Sequence, residues 1–207
     1  YERHIRVLAS DEFEGRKPGT AGERKTIDYL VEQFKALGLA PVKGSYTQQV
    51  PIVEITAGSD ATLKLGTQDL QYGRDMVTWT KRLVPEVKLE DSELVFVGHG
   101  VVAPEYGWND YAGIDMHGKT ALILVNDPGY RDATRFKGRK MTYYGRWTYK
   151  YEEAMRQGAD GALIVHQTGP AAYGWEVVRN SNSGPLLEPD AADGHARRVG
   201  RGEHRSV

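Results

Sequence analysis

Two strand-length apolar runs, "TALILV" at 120–125 and "GALIVH" at 161–166, constrain this chain more than any other feature. Each is nearly all-apolar and too short for a helix, the mark of a strand buried on both faces. Between them a helical pattern runs from about Thr142 to Gln157 and ends at Gly158. Strand, crossover helix, strand implies parallel neighbours joined by a right-handed connection, so this part of the chain should be a small α/β domain. "ELVFVGHGVV" and "DMVTWTKR" read as further strands, and "APEYGWNDYAGIDMHG" as a long loop of aromatics and glycines.

Upstream the period is different. Ile27, Leu30, Val31, Phe34 and Leu37 make one apolar stripe of a helix over residues 20–38, with Thr20 and Glu23 as a capping box and Gly38 at its end. A helical turn, "HIRVLAS", and a polar loop, "DEFEGRKPGT", precede it. "SYTQQVPIVEI" and "ATLKLG" read as a hairpin joined by "TAGSD", and the turn-rich "DLQYGRD" marks a boundary. The expected organisation is therefore residues 1–74, residues 75–188, and an irregular tail at 189–207. Periodicity already fades from "LLEPDAADG" onward, so a loose end is expected there.

Composition excludes several classes. The 27 basic and 28 acidic residues give a net charge of −1, which argues against a nucleic-acid or membrane-surface protein at the whole-chain level. No apolar run is long enough for a membrane span. There is no cysteine, hence no disulfide and no thiolate metal site. None of the six histidines is followed two residues later by Asp, and no His-Glu-x-x-His occurs, so no metal ligands are assigned.

Glu152 and Glu153 are the chain's one Glu-Glu pair. With Trp147, Tyr151, Ala154 and Met155 as the inward stripe, both glutamates should lie on a solvated face, Glu152 pairing with Arg156, and neither should be catalytic. Asn109, Asp110 and Asp115 could offer oxygens to calcium, but their spacing fits a structural turn with Trp108 and Tyr111 tucked against the sheet. "GHG" at 98–100 lacks the rest of a phosphate loop, leaving His99 as a strand-end residue. "RKPGTAGERK" could attract an anion at a helix start, although a solvated loop explains it better, and His195 and His204 in the tail are weak ligands at most. Tyr144, Arg146 and Trp147 at the helix entry could present a cation between aromatic walls to a ligand, the alternative being that Trp147 anchors the helix in the core and Arg146 is solvated.

"HIRVLASDEFEGRKPGTAGERKTIDYLVEQFKALGL" resembles the opening of the co-catalytic zinc aminopeptidase family, which also contains glutamate carboxypeptidase II and the non-enzymatic transferrin receptor. Gly15, Arg16, Gly19 and Thr20 before the amphipathic helix carry the likeness. "ELVFVGHGVVAPEYGWNDYAGIDMHGK", "TALILV" and "KYEEAMRQGADGALIV" look like the protease-associated domain inserted in many members, and the resemblance spans about residues 3–185. It implies an α/β chain: a helical and β-hairpin piece of a zinc-peptidase domain, then a protease-associated lid near whose helix entry substrate is held. In that family the ligands for two zinc ions and the catalytic glutamate follow the insert, where this chain departs from the pattern. The resemblance thus implies scaffold and substrate cover without catalysis in this chain, with peptide substrate met through the catalytic half. A non-catalytic peptide- or protein-binding module is the alternative. Family habit points to a periplasmic or secreted protein. The stripe at Leu30, Val31, Phe34 and Leu37 should be left partly uncovered, which favours homodimerisation.

Overall fold

The computed structural model describes residues 1–190. The chain is mixed α/β, and it folds as two compact units, Tyr1–Pro51 and the residues from Ile52 onward.

In the first unit, helices α1 (Glu2–Leu8) and α2 (Ala21–Ala36) flank a 3-10 segment, Asp11–Arg16. α2 starts where the sequence places it, but the capping box forms only in part. Thr20 turns its hydroxyl to the carbonyl of Lys17, while the Glu23 carboxylate accepts from the Gly19 N–H at 2.7 Å. The helix packs on the 3-10 segment through Gly22, whose missing side chain leaves room for the Phe13 carbonyl, and Phe13 is the buried residue there. Val31 is half-buried and Leu30 and Phe34 are partly exposed, but Leu37 is 73% exposed.

The second unit is organised by a parallel sheet. β1 (Ile52–Ile55) comes first, then β2 (Thr62–Leu65) and β3 (Gln68–Gln71). β4 (Glu93–Phe96) is followed by the two-residue ladder of β5 (Val102–Ala103) and β6 (Trp108–Asn109), and then by β7 (Lys119–Leu124). Helix α3 (Trp147–Arg156) leads to β8 (Gly161–Val165). The order β4-β7-β8 is parallel throughout, with Val95 opposite Ala121 and Leu122 opposite Leu163. Its core gathers Val97, Tyr111, Met116, Ala121, Ile123 and Ala154. Two short helices, α4 (Thr168–Ala171) and α5 (Trp175–Asn182), and β9 (Leu186–Pro189) complete the described chain.

Several expectations are corrected. The hairpin expected from Tyr46 does not form as read: β1 pairs antiparallel with β9, Ile52 opposite Pro189, and β2 pairs with β3 across the Gly66 turn. "DLQYGRD" therefore contributes a strand, and the segment from Leu186 is ordered as one rather than loose. "DMVTWTKR" is irregular apart from a bridge between Tyr72 and Met76. The hairpin was misread by taking local alternation for pairing when the partner of β1 lay far along the chain. The tail beyond residue 190, with His195 and His204, lies outside the described residues.

The face of α3 is also corrected. Tyr149, Lys150, Glu153 and Ala154 are buried, whereas Met155 is exposed. Glu153 is not on a solvated face: it sits 2.7 Å from the Arg156 guanidinium and accepts from the Gln157 amide at 2.7 Å. Glu152 stands farther from Arg156, at 3.8 Å. A charge can be buried when hydrogen-bonded and paired, so polarity alone misplaced the helix's inner face.

Gly22→Ala should destabilise the first unit by about 1–3 kcal/mol, because a Cβ there would stand 2.2 Å from the Phe13 carbonyl, which is backbone and cannot swing away. Urea unfolding of the variant beside wild type checks this; an unchanged midpoint would show that the helix and the 3-10 segment do not meet there.

Candidate functional site

In open sheets with parallel strands, ligands favour the crevice beyond the carboxyl ends of the strands. Here β4 runs on to His99, β7 to Asn126 and Asp127, and β8 to His166. The ladder persists to this edge: the N–H of Leu124 donates to Gly98 at 2.8 Å and that of Val125 to Val165 at 3.3 Å.

Three groups build this edge. His99 Nδ1 lies 3.1 Å from the Asn126 carbonyl. A carbonyl only accepts, so Nδ1 carries the proton, and burial together with the Lys150 charge pushes the imidazole below its ordinary pKa. Asn126 has a left-handed backbone (φ 71°), and its side chain accepts from the Asp127 N–H and donates to the Pro170 carbonyl, both at 2.7 Å. Asp127, fully buried, accepts from the Gly129 N–H at 3.0 Å with one oxygen. Its other oxygen takes the Thr142 N–H at 2.8 Å and the Thr142 hydroxyl at 2.6 Å.

Lys150 projects from α3 into this region and is fully buried. Its ammonium donates to the carbonyls of His99 at 2.6 Å and Tyr144 at 3.3 Å. Burial pushes its pKa down to about 8, against the upward pull of Asp110 and Asp127. Asp110 is itself spent on backbone and indole: one oxygen accepts from Val101 N–H, the other from Trp108 Nε1, each at 2.9 Å. Asn109 and Asp115 likewise accept from N–H groups two residues on, as expected of a structural turn.

The three residues singled out from sequence sit in a row at the entry to α3 but face different surroundings. Tyr144 belongs to an aromatic cluster, its ring edge-on to Tyr149 at 4.9 Å and to Phe136 at 5.9 Å. Its hydroxyl donates to Glu105 at 2.5 Å, and that hydrogen bond first, then burial, pushes its pKa up to about 12. Arg146 caps α3 and is exposed, close enough for its charge to act on Tyr173. Trp147 is half-buried, and its indole N–H is enclosed without a hydrogen-bond partner. Arg146 is thus free to meet a ligand, while Tyr144 is committed to the core of the unit.

Sequence reasoning missed Lys150, Asp127 and His166. Asp127 had a signal, since "NDPG" is a turn signature in which Asp accepts from the backbone two residues on. Lys150 had none. His166 stacks on Tyr173 at 5.5 Å and leans on Trp175 at 6.1 Å, with both ring nitrogens enclosed and unpartnered.

Among the described residues, no three His, Asp or Glu side chains come together as metal ligands. Among the described residues no helix is long and apolar enough to cross a membrane.

No family model and no curated protein matches the chain. Among solved structures it is similar to an aminopeptidase from Aneurinibacillus sp. strain AM-1, at 21% identity and a TM-score of 0.36. That match covers 91% of this chain and 43% of the other, so the chain spans less than half the length of that protein.

Stability should follow pH in two opposite ways. Between about 8 and 10.4 the unfolded chain keeps a lysine proton that native Lys150 has lost, so stability rises with pH. Above about 10 the unfolded tyrosines ionise while Tyr144 and Tyr151, each pushed up to about 12, do not, so stability falls. Urea midpoints across this range should peak near about pH 10, and Lys150→Met should abolish the rise but keep the fall. A wild-type profile flat from about pH 8 to 10 would show that Lys150 holds its proton throughout.

Asp127→Ala should cost about 2–4 kcal/mol in the same assay, since it leaves buried donors at Gly129 and Thr142 without an acceptor.

Proposed function

We propose that the chain is the scaffold and substrate-covering part of a zinc-aminopeptidase-like hydrolase, and that it breaks no bond itself. The observation that carries this reading is how the carboxylates near the carboxyl edge of the sheet are used. Asp110 and Asp127 each accept from backbone N–H groups with one oxygen and from a second donor with the other. Asp110 takes two donors in this way and Asp127 three, so much of each carboxylate's acceptor capacity already serves to fasten loops. Hydrolysis, with two zinc ions and a glutamate base, would belong to residues beyond this chain, as the sequence resemblance implies. The exposed stripe of α2 suits such a role, being a face prepared to pack on further protein. The same resemblance is what supports export from the cytoplasm.

A non-catalytic peptide-binding module is the second reading. Arg146 favours it: an exposed guanidinium with no carboxylate partner among the described residues, beside Tyr173 at the strand ends.

The purified chain should hydrolyse no aminoacyl-nitroanilide and should hold less than about a tenth of a zinc ion per chain by elemental analysis. Turnover that a chelator removes would overturn the proposal. Substrate cover is tested separately by titrating tryptophan fluorescence with peptides: Arg146→Ala should weaken binding roughly tenfold, the worth of one charge-assisted hydrogen bond. Binding that Arg146→Ala leaves unchanged would remove Arg146 from the site.

A further inference from the structure

The segment from Pro128 to Met141 carries Arg131, Arg135, Lys137, Arg139 and Lys140 against one acid, Asp132, in a chain whose net charge is −1. A run of charge in a loop is ordinarily a solvated strand of coil. This one is built. The Asp127 carboxylate receives Gly129 with one oxygen and Thr142 with the other, so a single buried group fastens the loop's two ends together. Midway, Phe136 turns inward in a left-handed conformation (φ 49°) and stacks on Tyr106 at 4.5 Å, among Trp108 and Tyr144. The loop closes on itself so tightly that a Cβ on Gly129 would come within 2.8 Å of the carbonyls of both Gly138 and Arg135. Ends held together and a midpoint anchored by Phe136 make a compact loop of the Ω type, a form that commonly carries function.

The fastening also orders the cations. Arg135 lies over the Trp108 ring at 5.7 Å and Arg139 over the Tyr130 ring at 5.8 Å. Arg131 donates to the Gln167 side chain at 3.3 Å, and the one acid, Asp132, is drawn off by Thr134 and stands 3.6 Å from Arg135. Lys137, Arg139 and Lys140 are exposed and have no carboxylate within ion-pair distance among the described residues. Guanidinium groups laid on aromatic faces have lost much of their rotamer freedom before a ligand arrives, so less is lost on binding.

We propose that the 128–141 loop is a docking surface for an acidic polypeptide segment. The patch spans one short loop, which suits a few carboxylates. A nucleic acid would call for cations continuing along a face, and the charge balance of the rest of the chain does not supply them. The forked guanidinium matches a carboxylate in two parallel hydrogen bonds. This inference stands apart from any role in peptide hydrolysis.

The test is fluorescence anisotropy of the whole chain with labelled hexaglutamate, with hexaglutamine and a single-stranded DNA oligomer beside it. Hexaglutamate should bind, hexaglutamine should not, and affinity should fall at least roughly tenfold from about 20 to about 200 mM salt. Lys137→Ala/Arg139→Ala/Lys140→Ala should lose at least roughly tenfold in affinity, while Arg24→Ala/Lys64→Ala/Lys88→Ala, equal in net charge, should bind as wild type does. Phe136→Ala keeps every charge and frees the loop, so it should weaken binding by roughly threefold or more. DNA binding tighter than hexaglutamate, no hexaglutamate binding, or equal loss in the two triple variants would each overturn the proposal. Full affinity in Phe136→Ala would overturn the part played by loop order.

Discussion

A lysine ammonium without water has to find its hydrogen bonds in the protein, and Lys150 finds them on the backbone carbonyls of His99 and Tyr144. Those two carbonyls belong to the end of β4 and to the turn that starts α3, so one side chain ties the helix to the sheet at a fixed depth. Asp127 does the complementary work at the end of β7, taking N–H groups where Lys150 takes carbonyls. Neither residue forms a direct ion pair with the other. Their charges are satisfied by backbone dipoles, which cannot move aside, and this makes the carboxyl edge of the sheet a rigid platform. Removing either side chain would leave buried backbone groups unpaired, which costs more than the hydrogen bonds themselves are worth.

The aromatic residues depend on that platform. Tyr149 stands one position before Lys150 on α3 and exchanges hydrogen bonds with both the N–H and the carbonyl of Val102 at 3.0 Å. Tyr144, Tyr106 and Phe136 then pack edge and face around it. Because Phe136 comes from the loop that Asp127 fastens, the cluster and the loop hold each other. The buried Glu153 belongs to the same helix face, where Arg156 spans from its carboxylate to a position 5.5 Å over the Tyr149 ring.

The parts of this arrangement legible in the sequence are those that apolar periodicity specifies. The runs at β7 and β8 and the helix between them read directly as a parallel α/β unit, and Ile27, Leu30, Phe34 and Leu37 mark α2. Pairing across long separations was not legible: nothing local in "IVEI" says that its partner is "LLEP" at the other end of the described chain. The inner face of α3 was illegible for a different reason. A rule that puts charge outside must fail where Lys150 and Glu153 are buried with partners, and those partners are backbone carbonyls and residues one turn on, which have no signature in composition. Of the candidate site, the sequence placed Tyr144, Arg146 and Trp147 together at the entry to α3, but the packing of Tyr144 on Tyr149 and its hydrogen bond to Glu105 depend on residues distant in sequence and had no local signal.

A rigid edge has consequences for whatever meets it. Dispersion contacts carry no directional preference, so apolar packing alone does not fix the orientation of one element on another. Hydrogen bonds from a buried charge are directional, so a helix held by Lys150 and Glu153 has fewer nearby positions of similar energy than one held by leucines. His166 sits at the margin of this region, stacked on Tyr173 and tilted against Trp175 with no hydrogen bond from either nitrogen, and nearby Ala172 is held in a left-handed conformation. Buried polar atoms without a partner thus occur both beside Gly100 after β4, where the Tyr111 hydroxyl lies, and at His166 after β8. The two left-handed residues at this edge differ in support: Asn126 at the end of β7 has its side chain bonded to the Asp127 N–H and the Pro170 carbonyl, whereas Ala172 after β8 has no side-chain hydrogen bond to hold it.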